Sequence, residues 1–467
     1  MTQARGYKGK LLVDIEAAFG VAPTIRKTHL MPYNTCDLSA SREQNTAATI
    51  TGSRNPVAPF QGNVDVQGTA EVPVDAHSFG LWLVGMFGMP TTSAVAAVNL
   101  DAGDAVDKGS GKVGLPATGH GFEAGATIVL SGTTSYDGAH ILQPETSSNE
   151  LVILASFTGE TFSTTDEAQL AARVNLDAGD AVDKGNGLVG LSAAGHGLAV
   201  GAEIVIAGTT NYDGTYMVKR GTSIGEIVIE ETYAAETFDG SETVTALFRD
   251  HVFKIAESMP SLGVEKQFPD IPAYLLASGI KIGSCALSVG GSDELTASLS
   301  LVGRDETRNA AVYDANPVEL PFNRFGNFQA RIIEGGTLLS SRNKTVNINL
   351  DFGLDTDQYT LGDGGVRGDI PEGLTTVSGD IEALFTDTRF LDKAEAGTRS
   401  SVEVQLVNGG YKLSVAMPEV EYQRKTPGLA GPRGVLENFS FAAFHDTDSA
   451  GSAVVVTLRN EIKNWTE

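Results

Sequence analysis

The sequence predicts an all-β protein with minor helix, built from a duplicated β-sandwich or barrel unit and two inserted small β-domains. Three observations favour this fold class: glycine makes up 54 of the 467 residues, alternating apolar and polar segments recur along the chain, and two kinds of internal repeat are present. Glycine at this frequency is typical of many turns between short strands. The apolar share of 41% is enough to build folded cores.

The clearest repeat is a tandem one in the middle of the chain. The segment VNLDAGDAVDKG at 98–109 recurs at 174–185, and the match continues without gaps up to the motif ETF of each copy. Strand patterns separated by Gly-rich turns fill both copies. The sequence therefore predicts two copies of one small β-domain, at 94–170 and 171–248.

A weaker duplication covers the rest of the chain. The segment at 64–79 resembles the one at 375–390, and the segment at 280–306 resembles the one at 435–461. The two segments of the first match lie farther apart in sequence than the two segments of the second match. The difference between these two separations is close to the length of the tandem pair. Both separations are explained if a β-rich unit was duplicated and the tandem pair was then inserted into its first copy. The predicted first unit comprises 1–93 and 249–310, and the predicted second unit comprises 311–467.

The two units are predicted to contain the same elements in the same order. Alternating strands are expected at 63–74 and 374–385. A short helix follows each strand, with Asp75 and Thr386 as N-caps and Gly397 at the end of the second helix. The remaining strands are expected in equivalent pairs: 251–257 with 400–407, 280–290 with 436–444, and 294–303 with 452–459.

Charge and cysteine content exclude several classes of protein. The chain has 33 basic and 58 acidic residues, a net charge of −25, which argues against a protein that holds nucleic acid by its phosphates. Its two cysteines, Cys36 and Cys285, cannot form a disulfide scaffold and are expected to be reduced thiols of a protein assembled in the cytoplasm. Neither a cleaved leader nor a membrane span is expected.

No motif of catalysis or cofactor binding is present, so we expect neither an enzyme nor a cofactor. The repeated motif DAGDAVD raises the alternative of a weak calcium site, because calcium prefers clustered carboxylate oxygens. Its spacing of three differs from that of an EF-hand, and solvated turn carboxylates are the favoured interpretation. The residues concerned are Asp101, Asp104, Asp107, Asp177, Asp180 and Asp183.

Two segments of the first unit carry a resemblance to a known family. The wording SRNPVAPFQGN at 53–63 and the strand GGSDELTASLSLVG at 290–303 are the most specific parts. The chain resembles the tail tube proteins of long-tailed, siphovirus-type bacteriophages, and more narrowly the large forms that carry the tube fold twice. The resemblance covers 1–92 and 249–310 well. Residues 93–248 lie outside it and are similar to the small immunoglobulin-like β-domains appended to phage tail proteins.

The resemblance implies a structural protein of the virion, assembled in the host cytoplasm and not associated with a membrane. Such proteins stack as rings into a tube through which DNA passes without specific binding, and the tube ends contact other tail proteins. A chain with two tube folds implies a homotrimeric ring with pseudo-sixfold symmetry. An extracellular adhesive or fibre-type β-repeat surface protein is the alternative that the repeats leave open.

The alternating strands also suggest which carboxylates could face the bore. An apolar face of 64–74 and 374–385 must pack inside its own unit, so the polar face meets water. The candidate lumen-facing residues are Asp65, Glu71, Asp380 and Glu382, where negative charge would repel DNA phosphates. The inserted pair is expected on the outside of the tube and dispensable for assembly.

Overall fold

The computed structural model describes residues 3–339, 343–428 and 434–467. The chain begins with β1 Lys10–Ile15, β2 His29–Met31, β3 Thr35–Cys36, β4 Ser39–Asn45, β5 Phe60–Pro73, α1 Ser78–Phe87 and β6 Thr91–Ala94. The next strands are β7 Val98–Asn99, β8 Gly103–Asp104, β9 Val106–Gly109, β10 Lys112–Pro116, β11 Thr127–Ser131, β12 Gly138–Ile141, β13 Glu150–Leu154, β14 Thr161–Phe162 and β15 Glu167–Asn175. They are followed by β16 Gly179–Asp180, β17 Val182–Gly185, β18 Leu188–Ser192, β19 Glu203–Ala207, β20 Gly214–Met217, β21 Glu226–Glu230, β22 Thr237–Phe238 and β23 Thr243–Leu247.

The second half of the chain is also built mainly of β-strands. It contains β24 Arg249–Lys254, β25 Leu262–Phe268, β26 Ala273–Gly290, β27 Thr296–Gly303 and β28 Asp305–Asn309. It ends with β29 Val318–Glu319, β30 Ala330–Glu334, β31 Thr337–Leu338, β32 Asn343–Asp351, β33 Thr376–Leu384, α2 Arg389–Ala396, β34 Ser400–Asn408, β35 Tyr411–Tyr422, β36 Leu436–Phe444 and β37 Val455–Asn460. The prediction of an all-β protein with minor helix is confirmed.

We call β1–β6 with β24–β28 unit A, and β29–β37 unit B. Eight antiparallel strands of the two units run side by side in the order β4-β5-β27-β26-β32-β33-β36-β35. The central junction of this eight-stranded sheet is the pairing of β26 with β32, from Ser284 opposite Asp351 to Gly290 opposite Thr345. One sheet therefore joins the two units.

The strand pairings of unit A recur in unit B. Gly68 lies opposite Leu301, and Gly379 lies opposite Phe441. Leu301 in turn lies opposite Ile282, as Phe441 lies opposite Tyr422. The strands β26 and β27 therefore correspond to β35 and β36. A register shift also recurs at the matching place, in β25–β26 and in β34–β35.

This register corrects the strand correspondence predicted from sequence. The strand at 280–290 was expected to match 436–444, but it belongs to β26, whose counterpart is β35; the strand at 436–444 is β36, the counterpart of β27. The predicted matches of 251–257 with 400–407 and of 294–303 with 452–459 are displaced in the same way. Alternation has a period of two in every strand, so it does not identify which strand is the counterpart of which.

The apolar faces predicted for β5 and β33 are confirmed. Val66, Ala70 and Val72 are fully buried on β5, and Ile381 is fully buried on β33. They share one core cluster with α1, every residue of which is buried. Because successive side chains of a strand point to opposite faces, the residues between them form a polar face on the other side of the sheet.

The helices begin slightly later than predicted. The residue that precedes α1 is His77, so the prediction of Asp75 as its N-cap is wrong by two positions. The Asp75 carboxylate nevertheless accepts hydrogen bonds from the backbone N–H groups of His77 (2.6 Å) and Phe79 (3.4 Å) and from the Ser78 hydroxyl. The prediction of Thr386 as the cap of α2 is wrong, because Thr388 precedes that helix. Gly397 ends α2 with a φ of 61°, a left-handed conformation that favours glycine.

The repeated segments form two small β-domains with matching contacts. We call β7–β14 insert 1 and β16–β23 insert 2. The Tyr136 hydroxyl donates to the Thr158 carbonyl at 2.7 Å, and Tyr212, its counterpart in the second copy, donates to the Ala234 carbonyl at 2.5 Å. The nine-residue strand β15 links the inserts, because its first half pairs with β11 and its second half with β23.

Insert 2 is docked on the core by buried contacts. The backbone N–H of Ala199 donates to a Glu461 carboxylate oxygen at 3.1 Å, in a fully buried position. The carbonyl of Gly201 accepts from the backbone N–H of Lys463 at 2.8 Å. A Cβ at Gly201 would lie 2.2 Å from the Asn464 carbonyl oxygen, and its φ is 86°, so this close approach requires glycine.

The same Glu461 forms a buried ion pair with His77. The Nε2 atom of His77 lies 2.8 Å from a Glu461 carboxylate oxygen, and both side chains are fully buried. Burial disfavours the charged imidazole, but the Glu461 carboxylate outweighs burial and raises the pKa of His77 above its ordinary value of 6.5. Burial likewise disfavours the carboxylate, but His77 outweighs it and lowers the pKa of Glu461 below 4.5.

We predict that Glu461→Gln lowers the free energy of unfolding by about 3 kcal/mol, because removing one partner leaves a buried charge unpaired. The raised pKa of His77 gives stability that is complete below pH 6.5 and is lost as the pH rises through that pKa. The lowered pKa of Glu461 gives stability that is complete above pH 4.5 and is lost as the pH falls through that pKa. The difference in unfolding free energy between the variant and the wild type should therefore be largest between pH 4.5 and pH 6.5.

Urea unfolding over a pH series that extends beyond both values measures this prediction. Glu395→Gln is the matched control, because Glu395 pairs with Arg424 at 2.9 Å on the surface, where an ion pair contributes little. An equal loss of stability in the two variants, or a loss independent of pH, would contradict the view that His77 and Glu461 form a stabilising buried ion pair.

Candidate assembly surfaces

The polar face of the eight-stranded sheet is lined mainly by hydroxyl and amide side chains. The register places side chains of all eight strands on this face, since residues directly opposite each other in paired strands point the same way. They include Ser39, Gln67, Thr69, Ser298, Ser300, Ser284, Ser288, Asn347, Asn349, Ser378, Ser440 and Asn438. Such a surface is wettable and contains few cations.

All four candidate lumen carboxylates lie on this face. Glu71 accepts a hydrogen bond from the Thr296 hydroxyl at 3.0 Å, and Asp380 accepts one from the Asn347 side-chain amide at 3.0 Å. Glu382 lies 3.9 Å from the Lys344 ammonium. Glu71 and Glu382 occupy equivalent positions, each on the third residue after the matching glycine of its strand.

Asp65, the fourth candidate, lies on the same face but is held in an ion pair. Its carboxylate lies 2.5 Å from the guanidinium of Arg367, whose side chain is 6% exposed. Arg367 also donates to the carbonyls of Gly303 (2.9 Å) and Thr356 (2.6 Å). The positive charge of Arg367 thus neutralises Asp65. No local pattern in the sequence signals this pair, because the two residues are 302 positions apart.

The structure does not bring the six repeat aspartates together. Each carboxylate accepts a hydrogen bond in a separate turn, and equivalent residues use equivalent donors. The pairs are Asp101 with the Thr118 N–H and Asp177 with the Ala194 N–H, Asp104 with the Thr161 hydroxyl and Asp180 with the Thr237 hydroxyl, and Asp107 with the Gly109 N–H and Asp183 with the Gly185 N–H. Across the described parts of the chain, no group of three His, Cys, Asp or Glu side chains could hold a metal ion.

The eight-stranded sheet has a free edge at each end. Within the described residues, β4 pairs only with β5, and six of its seven residues are exposed. At the other end, β35 pairs beyond Val420 with β36 alone. Its counterpart β26 has β27 on one side and β32 on the other. The side of β35 that corresponds to the β32 position is therefore unpaired in the described part of the chain.

A long loop of unit B covers one end of the polar face of unit A. We call residues 352–372 the acidic loop. The Lys281 ammonium lies 2.8 Å from the Glu372 carboxylate and donates to the Ile370 carbonyl at 2.8 Å. Burial raises the pKa of Glu372, but the hydrogen bond and charge of Lys281 together with the backbone N–H of Met259 lower it, and the net result is a lowered pKa. This ion pair fixes the loop against β26.

At the equivalent place, unit B has an open cavity of about 610 Å³. In unit A, Lys281, Gly283 and Arg304 all contact the acidic loop. The counterparts of these three residues are Glu421, Gln423 and Phe444, and all three line the cavity of unit B. Sequence inspection missed this surface. The signal was the difference in charge between the acidic loop and residues 46–59, which join β4 to β5 in unit A and contain no carboxylate.

Both cysteines are free, and burial raises the pKa of Cys285 to about 12, which keeps its thiol protonated. Among the described residues, no helix has the length and apolar content needed to cross a membrane.

A comparison with known protein families gives a match that covers both units. The family model described as "Phage tail tube protein" matches residues 6–443, which is nearly the whole chain. The search of curated proteins gives no match. The sequence resemblance seen in two segments of the first unit therefore extends across both units. The chain belongs to the phage tail tube protein family.

Proposed function

We propose that this tail tube protein forms rings of three chains, which stack into the tube through which phage DNA passes. Membership of the family assigns it a structural role in the phage tail and a place in the virion tail. Other tail proteins would contact the ends of the tube, and assembly would take place in the host cytoplasm. The alternative of an extracellular fibre protein drew on the tandem repeats alone, and these lie outside the eight-stranded sheet.

The observation that carries the proposal is the junction of β26 with β32. By the repeated register, β35 is the counterpart of β26, and β4 is the counterpart of β32. Ser39 pairs with Gln67 as Asn349 pairs with Ser378, so Ser39 corresponds to Asn349. The same kind of junction can thus form between β4 of one chain and the segment that follows β35 (Tyr411–Tyr422) in the next, with Thr426 opposite Ser39 and Arg424 opposite Ser41.

Repeating this junction closes a ring. Each chain contributes eight strands in two similar blocks, so three chains present six blocks with pseudo-sixfold symmetry. Closure removes both free edges, which would otherwise invite uncontrolled pairing. Closed rings are also the usual form of homo-oligomers.

We propose that the polar face lines the bore. The opposite face is covered by α1, so it is not available to a water-filled channel. Glu71, Asp380 and Glu382 are the proposed lumen-facing carboxylates, with Asp65 neutralised by Arg367. A polar surface with few free cations would let DNA slide, because tight phosphate binding requires Lys and Arg.

We further propose the domain division given by the sequence, with the inserts on the outside of the tube. Insert 2 contacts Glu461, which in turn pairs with His77 at the start of α1, on the side away from the polar face. Residues 95–248 contain 6 basic and 21 acidic residues, a net charge of −15 out of −25, so most of the acidity belongs to the exterior. Because Ala199 donates to buried Glu461, insert 2 is expected to support a stable core, which revises the expectation that both inserts are dispensable.

We predict that Ser39→Cys with Thr426→Cys, in a Cys36→Ser and Cys285→Ala background, forms disulfides between chains on mild oxidation of assembled protein. The proposed register places the two Cβ atoms directly opposite each other, and disulfides require Cβ atoms about 4 Å apart. Non-reducing gels should show dimers and trimers and no larger species. Ser39→Cys with Arg424→Cys, two positions out of register, is the control; equal yield from it, or no cross-link from the matched pair in assembled protein, would overturn the register.

We predict that Glu71→Lys with Glu382→Lys slows DNA ejection from virions that carry both changes. Folding should be preserved, since solvated surface substitutions change stability by roughly 0.5 kcal/mol or less. The slowing should be stronger at low ionic strength, because salt screens the attraction between lysine and phosphate. Glu145→Lys on insert 1 with Glu167→Lys at the start of β15 is the control for charge alone; ejection at the wild-type rate in low salt would refute the lumen assignment.

A further inference from the structure

Two loops occupy equivalent positions in the two units and carry opposite charge. The acidic loop joins β32 to β33 in unit B, and residues 46–59, which we call the basic loop, join β4 to β5 in unit A. The acidic loop contains five carboxylates, Asp355, Asp357, Asp363, Asp369 and Glu372, with a single basic residue, Arg367. The basic loop contains no carboxylate and one arginine, Arg54, which is exposed.

The surfaces of the two units at which these loops would bind also differ in charge, and each surface is opposite in charge to its loop. Unit A presents Lys281 and Arg304 to the acidic loop, through the Lys281–Glu372 ion pair at 2.8 Å and the donation from Arg304 to the Arg367 carbonyl at 3.2 Å. The counterparts in unit B are Glu421 and Phe444, and Glu421 is exposed. Unit B thus offers a carboxylate at the position where unit A offers an ammonium group.

We propose that the basic loop of a second copy fills the cavity of unit B and places Arg54 against Glu421. The inference rests on the proposed ring and names the contact that fixes its order. In unit A this space is filled by a loop of the same chain, and the cavity of about 610 Å³ marks the corresponding site in unit B. The proposed Arg54–Glu421 contact resembles the Lys281–Glu372 ion pair, but the carboxylate lies on the sheet and the cation on the loop.

The exchange of charges gives the junction between chains its own pairing. Inside one chain the β26 side of unit A is already paired with unit B, and the acidic loop is fixed there by Lys281. The cavity side of unit B is left with the basic loop of another chain, whose Arg54 is opposite in charge to Glu421, whereas two cavity sides brought together would oppose Glu421 to Glu421. Opposed like charges suppress wrong partners at an interface. Only the alternation of A with B brings opposite charges together at every junction.

Charge exchange at the two positions tests the inference. We expect Glu421→Lys and Arg54→Glu each to reduce the yield of rings at least tenfold at low ionic strength, measured by light scattering and negative-stain microscopy of the full chain. The double variant Arg54→Glu with Glu421→Lys should recover most of the wild-type yield. Glu167→Lys, an exposed change at the start of β15, is the control and should assemble like the wild type.

The outcomes separate this inference from the ring proposal. Assembly of both single variants like the control, or a double variant no better than the single ones, would overturn the Arg54–Glu421 contact while leaving the ring intact. Failure of the wild type to form rings would instead refute the proposed function. Circular dichroism of each variant shows whether a loss of rings comes from unfolding.

Discussion

Antiparallel pairing between β26 and β32 is the interaction on which the rest of the structure depends. Seven residue pairs, from Ser284–Asp351 to Gly290–Thr345, join two similar four-stranded blocks into one sheet. This junction aligns the polar faces of both blocks and leaves β4 and β35 as free edges. In the proposed ring the two edges are complementary, because they correspond to the two strands already paired inside the chain.

The two faces of the eight-stranded sheet have different surroundings. Apolar side chains pack on one face, and polar side chains lie on the other. The apolar face is closed by α1, and beyond it the buried His77–Glu461 pair receives a hydrogen bond from Ala199 of insert 2. His251 is also buried nearby, where burial lowers its pKa to about 4 and keeps it neutral, with its Nε2 atom 2.9 Å from the Asn460 side-chain oxygen. Buried hydrogen bonds of this kind link the elements whose side chains they join.

Local patterns in the sequence predicted local structure well. Alternation along β5 and β33 identified their buried and polar faces, and the gapless repetition that starts with VNLDAGDAVDKG identified the inserts. The match of 280–306 with 435–461 was wrong by one strand, because neighbouring strands share the same alternation. The neutralisation of Asp65 by Arg367 and the filling of the unit A surface by residues 352–372 involve partners distant in sequence, and neither repeats nor periodicity reports such contacts. Thr386 was misassigned as a cap because other hydroxyl and carboxylate residues stand beside it.

The number of chains in one ring tests the central claim most directly. A chain of 48.9 kDa that supplies two of six blocks predicts rings with three times that mass and threefold symmetry in electron micrographs. Native mass spectrometry of solubilised rings, with class averages of the same sample, gives both quantities. Rings of six chains with strict sixfold symmetry would contradict the account, because each chain would then contribute a single block to the barrel.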